Sequence, residues 1–173
     1  MILRGLLMAV VAAVALVVDT VVLANLTLAG VAPSLAVMTV VGFAHAEGPA
    51  VGVGYGFAVG LVTDLLGDGL LGSGALVLLL VGYLTGMARR VWTGGTLAGQ
   101  IVAGAMGALL AAVGHGVLDL LFGVEGTLGG LVPQVLAAGL FGLLLAPLVL
   151  PALAWLLARL QPDQLVDRTW PSW

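Results

Sequence analysis

Six long apolar stretches run along the chain, and glycine, proline or charge marks each break between them. The first extends from about Leu6 to Leu28, after Arg4, and Gly30 and Pro33 end it. The second runs from Ser34 to about Ala46 and is interrupted by His45, Glu47, Gly48 and Pro49. A third covers Ala50 to about Leu66, and a fourth covers Leu70 to Ala88 and stops at Arg89-Arg90. The fifth spans about Thr96 to Phe122 and the sixth Leu131 to Ala158. Each reads as a helix crossing a bilayer, which takes roughly 20 apolar residues. The second is short for a full crossing, so residues 34–66 read either as two spans or as a re-entrant hairpin, giving six spans or four. Pro133 fits the first turn of the last helix, while Pro147 and Pro151 should kink it. The pattern predicts an all-α integral membrane bundle over residues 1–158 and a short cytoplasmic tail over 159–173.

Composition excludes the soluble alternative. Hydrophobic residues make up 62% of the chain and charged residues 8%, against about 25% charged in a soluble domain. The start could be taken for a secretory signal, but its apolar run exceeds the roughly 7–15 residues of a signal core and no small-x-small site ends it. With no cysteine, neither a disulfide nor a thiolate metal site can form. The net charge of −3 and the lack of a basic patch exclude nucleic acid.

Charge also sets orientation. The positive residues are Arg4, Arg89, Arg90, Arg159 and Arg168. Arginine in short loops stays on the cytoplasmic side. An even number of spans with both termini cytoplasmic puts all of them inside. The outer loops, near 29–33, 67–70 and 123–130, then hold Asp68 and Glu125 and no arginine. Trp92, Trp155, Trp170 and Trp173 fall on the cytoplasmic side as interfacial anchors. The expected location is the bacterial inner membrane.

Glycine spacing is the strongest local signal. Gly48, Gly52, Gly56 and Gly60 recur every fourth residue, as do Gly99, Ala103, Gly107 and Ala111 in the fifth stretch. Small residues at this spacing let helix backbones approach closely in lipid. They serve either the packing of the bundle itself or the docking of another membrane protein. Ala9 and Ala13 form a weaker version in the first span. Polar groups within the apolar stretches come next, because a charge inside the bilayer is costly and marks a site or a buried pair. These are Asp19, Asn25, Asp64, His115 and Asp119. His115 and Asp119 stand four apart, close enough to hydrogen-bond on one helix face. They supply two ligands where zinc needs three or four, so neither a metal nor another cofactor is expected. No serine sits in a nucleophile-elbow frame and no phosphate loop is present, so no enzymatic activity is expected.

One stretch carries a family resemblance. It includes Gly30-Val-Ala-Pro33-Ser-Leu, Glu47-Gly48, and Gly56-Phe-Ala-Val-Gly60-Leu-Val-Thr-Asp64-Leu-Leu-Gly67. Leu71-Gly72-Ser-Gly-Ala-Leu follows, then Val81-Gly-Tyr-Leu-Thr-Gly86 running into Arg89-Arg90. The order resembles the rod shape-determining protein MreD family, although Pro33-Ser34-Leu35 stands where the family typically has Pro-Asp-Leu. The resemblance implies a non-enzymatic subunit of the elongation machinery that supports side-wall peptidoglycan synthesis. An MreC-like protein is the implied direct partner, with RodA, a class B penicillin-binding protein and MreB in the wider complex. It also implies the six-helix fold of the substrate-binding subunits of energy-coupling-factor transporters. The alternative function is therefore a vitamin-binding transporter subunit, against which the short outer loops, with no tryptophan or arginine, argue.

Overall fold

A computed structural model describes residues 2–28, 32–67, 71–89, 97–122 and 128–160. Among these, six helices are present: α1 Ile2–Val21, α2 Leu35–Glu47, α3 Pro49–Leu66, α4 Ser73–Ala88, α5 Leu97–Leu121 and α6 Leu128–Leu160. α1, α3, α5 and α6 are long and apolar enough to cross a membrane, whereas α2 and α4 are shorter.

The axis of the bundle is α2, which touches every other helix. Its residues from Ala36 to Ala44 are all buried, and Val40, Val41, Phe43 and Ala44 expose no surface. A helix apolar on all sides has no preferred outer face and belongs in the interior. That is why the shortest helix, at 13 residues, is the best covered. Ser34 starts it by accepting a hydrogen bond from the Val37 amide at 3.3 Å, a standard side-chain cap. Gly48 ends it at φ 98°, and Pro49 occupies the first position of α3, where its missing N–H costs nothing. Gly48 is therefore the corner between two helices, not the first member of a helical glycine face.

Two seams hold the outer helices together. A methyl group added at Gly52, Gly56 or Gly60 of α3 would lie under 3.0 Å from the carbonyl oxygens of Gly82, Leu78 or Gly74 of α4. These backbones meet without side chains between them. Along α5 and α6, Gly104 faces Ala146 and Gly142 faces Ala108. The spacing Gly99, Ala103, Gly107, Ala111 turns elsewhere at Gly107, whose Cα faces Val41 of α2 and Thr85 of α4.

Several helix boundaries differ from the sequence expectation. α1 stops at Val21 and a 3-10 turn, Leu23–Asn25, replaces the run to Leu28. Thr20 turns its hydroxyl back to the carbonyls of Leu16 (2.9 Å) and Val17 (3.1 Å), and the Asn25 amide donates to the Val21 carbonyl at 3.4 Å. Such local polar bonds compete with helix continuation. α6 begins at Leu128, so Pro133 lies beyond its first turn. Pro147 and Pro151 also lie inside an uninterrupted helix. Each proline removes one backbone hydrogen bond, and packing along α5 carries the helix across those gaps.

Candidate functional site

The two ends of the bundle carry opposite charge. Arg4 of α1 pairs with Glu47 at the end of α2. Arg89 lies beside the Gly48 corner, 3.7 Å from where a Gly48 Cβ would stand. Leu153 of α6 packs on Gly42 of α2, so Arg159, further along α6, belongs to the same end. Its guanidinium sits 4.2 Å over the Trp155 ring. Arg90 and Arg168 lie outside the described residues.

The three intramembrane aspartates lie at the opposite end, and two of them do the same work. Asp19 of α1 accepts the amides of Leu35 (2.7 Å) and Ala36 (2.9 Å) and the hydroxyl of Ser34 (3.1 Å). Asp64 of α3 accepts the amides of Gly72 (2.8 Å), Gly74 (2.9 Å) and Ala75 (3.1 Å). Each carboxylate caps the following helix from the preceding one. It satisfies amides that have no partner within their own helix and sits at the positive end of that helix's dipole. The close α3–α4 seam makes this possible, since a Cβ at Gly74 would strike the Asp64 carboxylate. Gly72, at φ 95°, precedes α4 in the left-handed region, and Gly67 closes α3 by donating to the Thr63 carbonyl at 3.0 Å.

The sequence held a signal for this arrangement that spacing alone did not expose. Val17-Val18-Asp19-Thr20-Val21, Val62-Thr63-Asp64-Leu65-Leu66 and Val117-Leu118-Asp119-Leu120-Leu121 place an aspartate at the same point, two residues before the last of α1, α3 and α5. The described helices thus form three hairpins, each with an acid near the end of its first helix. The third acid behaves differently. Asp119 has no hydrogen-bond partner among the described residues, and the expected bond to His115 is not made. The His115 Nδ1 instead lies 2.9 Å from the Ala111 carbonyl, one turn back. That contact requires Nδ1 to donate, since a carbonyl oxygen only accepts.

His115 and Asp119 line a cavity of about 350 Å³ between α2, α5 and α6. Ser34 and Gln134 stand at its polar end, and Met38, Phe141 and Leu145 line its apolar part. A second hollow, about 560 Å³, lies between α1 and α3. Ala9, Ala12 and Ala13 line one wall, and Gly54, Tyr55 and Ala58 the other. Nothing fills the space above Gly5 or Gly54. Tyr55 braces the α3 wall through an edge-on contact with Phe43, ring centroids 4.7 Å apart. Ala9 and Ala13 are exposed, and Leu6, Val10, Val14 and Val17 continue the apolar surface of α1.

A membrane bundle with arginines at one end, capped acids at the other and no extramembrane domain among its described residues matches one family model. That model, rod shape-determining protein MreD, covers residues 1–156 of the 173-residue chain. The chain belongs to the MreD family. No curated protein and no solved structure matches it. MreD membership makes it a shape-determining membrane protein of a structural family not known as enzymatic, and four of its helices have the length and apolarity to cross a bilayer.

Proposed function

We propose that this MreD-family chain is a scaffold subunit of the rod complex that holds the single transmembrane helix of an MreC-like partner. It acts in the inner membrane with both termini cytoplasmic. RodA, a class B penicillin-binding protein and MreB belong to the wider assembly, and the role is support of side-wall peptidoglycan synthesis. The six-helix fold of energy-coupling-factor substrate-binding subunits belongs to this reading too, since three hairpins around a central helix are compatible with it.

The observation that carries the proposal is the hollow between α1 and α3. Its walls bring small residues, Ala9 and Ala13 of α1 and Gly54 and Ala58 of α3, together among larger apolar ones such as Met8, Leu16 and Tyr55. In lipid, helices associate through close packing over such residues. By contrast the Gly52, Gly56 and Gly60 seam is already occupied by α4, so it supports the bundle and offers no docking face. The arginine end would meet cytoplasmic partners or anionic lipid, where each charge adds about 1 kcal/mol.

Site-specific photo-crosslinking in membranes tests this. A crosslinker at Ala9 or Ala13 should capture the MreC-like protein, and one at Val102, exposed on α5, should not. Adducts from Val102 and none from α1 would refute the assigned surface.

A further inference from the structure

We propose that the cavity between α2, α5 and α6 binds an amphiphile with a cationic, hydrogen-donating head, such as an alkylammonium. Its free polar capacity is one-sided. Asp119 offers a carboxylate that bonds nothing among the described residues, although the equivalent Asp19 and Asp64 are fully engaged in capping. His115 has Nδ1 committed to the Ala111 carbonyl, which leaves Nε2 as its free ring nitrogen. The Ser34 hydroxyl is spent, donating to Asp19 and accepting from Val37. Gln134 completes the polar end, and its amide can donate as well as accept.

Among the described residues, no lysine or arginine lines the cavity. A head bearing only negative charge would meet Asp119 with no counter-charge, which disfavours carboxylate-headed ligands and phosphate heads that lack an amine. Away from the polar groups the lining becomes Val37, Met38, Phe141 and Leu145. The site thus joins an acceptor-rich mouth to an apolar floor, and its volume of about 350 Å³ falls among small-ligand sites. His115 and Asp119 are exposed at the mouth, so a head group reaches them without displacing a helix. This inference is independent of the α1–α3 docking surface, which shares no lining residue with the cavity.

The test uses the full chain in phosphatidylcholine nanodiscs, titrated with octylammonium, octanol and octanoate and read by calorimetry. Saturable binding of octylammonium alone is expected. Asp119→Asn should weaken it about tenfold, the size of a lost charge-assisted hydrogen bond, with no change in the melting temperature of the ligand-free protein. Ala112→Phe, which fills the cavity from α5, should also abolish it. Equal binding of octanol, or octylammonium binding undiminished in both variants, would overturn the proposal. Mass spectrometry of lipids retained on the purified protein separates the sources. Phosphatidylethanolamine held by the wild type and lost from Asp119→Asn supports a lipid amine. Its absence alongside octylammonium binding supports a free organic cation. Retention of phosphatidylglycerol dependent on Asp119 would overturn the proposal.

Discussion

Replacing Gly56 by alanine adds one methyl group to a helix, and in most helices that would stabilise. Here it should destabilise strongly. The new Cβ would lie under 3.0 Å from the Leu78 carbonyl oxygen and 2.8 Å from its carbonyl carbon. Those atoms belong to the α4 backbone, so no side chain can rotate away. The helices must separate, and the flanking contacts of Gly52 with Gly82 and of Gly60 with Gly74 loosen together. Overpacking of a tight core costs about 1–3 kcal/mol, and a rigid backbone obstacle places this case at the upper end. Roughly 3 kcal/mol corresponds to a fall of about 6–12 °C in melting temperature for a chain of this size. Gly54→Ala is the matched control. It lies in the same helix with nothing within 4 Å of its added methyl, and should be neutral or gain up to about 1 kcal/mol of helix propensity. Thermal unfolding of both variants in one detergent gives the comparison. If Gly56→Ala melts within about 2 °C of Gly54→Ala, the seam is softer than its geometry implies and the reasoning fails.

Removing the Asp64 carboxylate should release the three amides of Gly72, Gly74 and Ala75. Asp64→Ala should cost about 1–2 kcal/mol, with faster amide exchange confined to the start of α4 as the check. Asp19→Ala should do the same to Leu35 and Ala36, leaving α4 unaffected. Single cysteines at Leu71 and Thr93 should react with an impermeant maleimide from opposite faces of sealed vesicles. Reaction from one face would contradict the arrangement of spans. For the Arg4–Glu47 pair, with the glutamate side chain 8% exposed and the arginine 40%, a double-mutant cycle should give a coupling of about 0.5–1 kcal/mol that shrinks in high salt; a coupling indistinguishable from zero at low salt would show the pair to be incidental.

Much of the fold was legible because bilayer chemistry is restrictive. Apolar runs gave the helices, and arginine segregation gave a polarity that Arg4, Arg89 and Arg159 display at one end. The Gly52, Gly56, Gly60 repeat named one side of a seam, yet it could not name the other. α4 answers with Gly74, Leu78 and Gly82, where a leucine backbone serves as well as a glycine. The central place of α2 was hidden because all-round hydrophobicity reads the same in lipid as in a protein core. The hydrogen bonds of Asp19 and Asp64 were hidden because, the Ser34 hydroxyl apart, their partners are backbone amides, which leave no mark in side-chain identity. His115 and Asp119 were paired on spacing alone. The backbone carbonyl of Ala111 won the imidazole, and the cavity beside them depends on three helices meeting, which no local window records.

The shortness of α4 reaches beyond the protein. At 16 residues it is about 24 Å long at 1.5 Å per residue, whereas the hydrocarbon layer is about 30 Å thick. Leu76, Leu80, Leu84 and Met87 are exposed along it, so acyl chains rest against this flank. α5 and α6, with 25 and 33 residues, exceed that thickness. A bilayer around these helices would thin beside the short one and thicken, or tilt the helix, beside the long ones, at a fraction of a kcal/mol per Å. A neighbour with a short span relieves the pinch by settling beside α4, and one with a long span does so beside α5. The membrane itself therefore sorts what gathers around this chain, and on which flank, before any residue of the neighbour is touched.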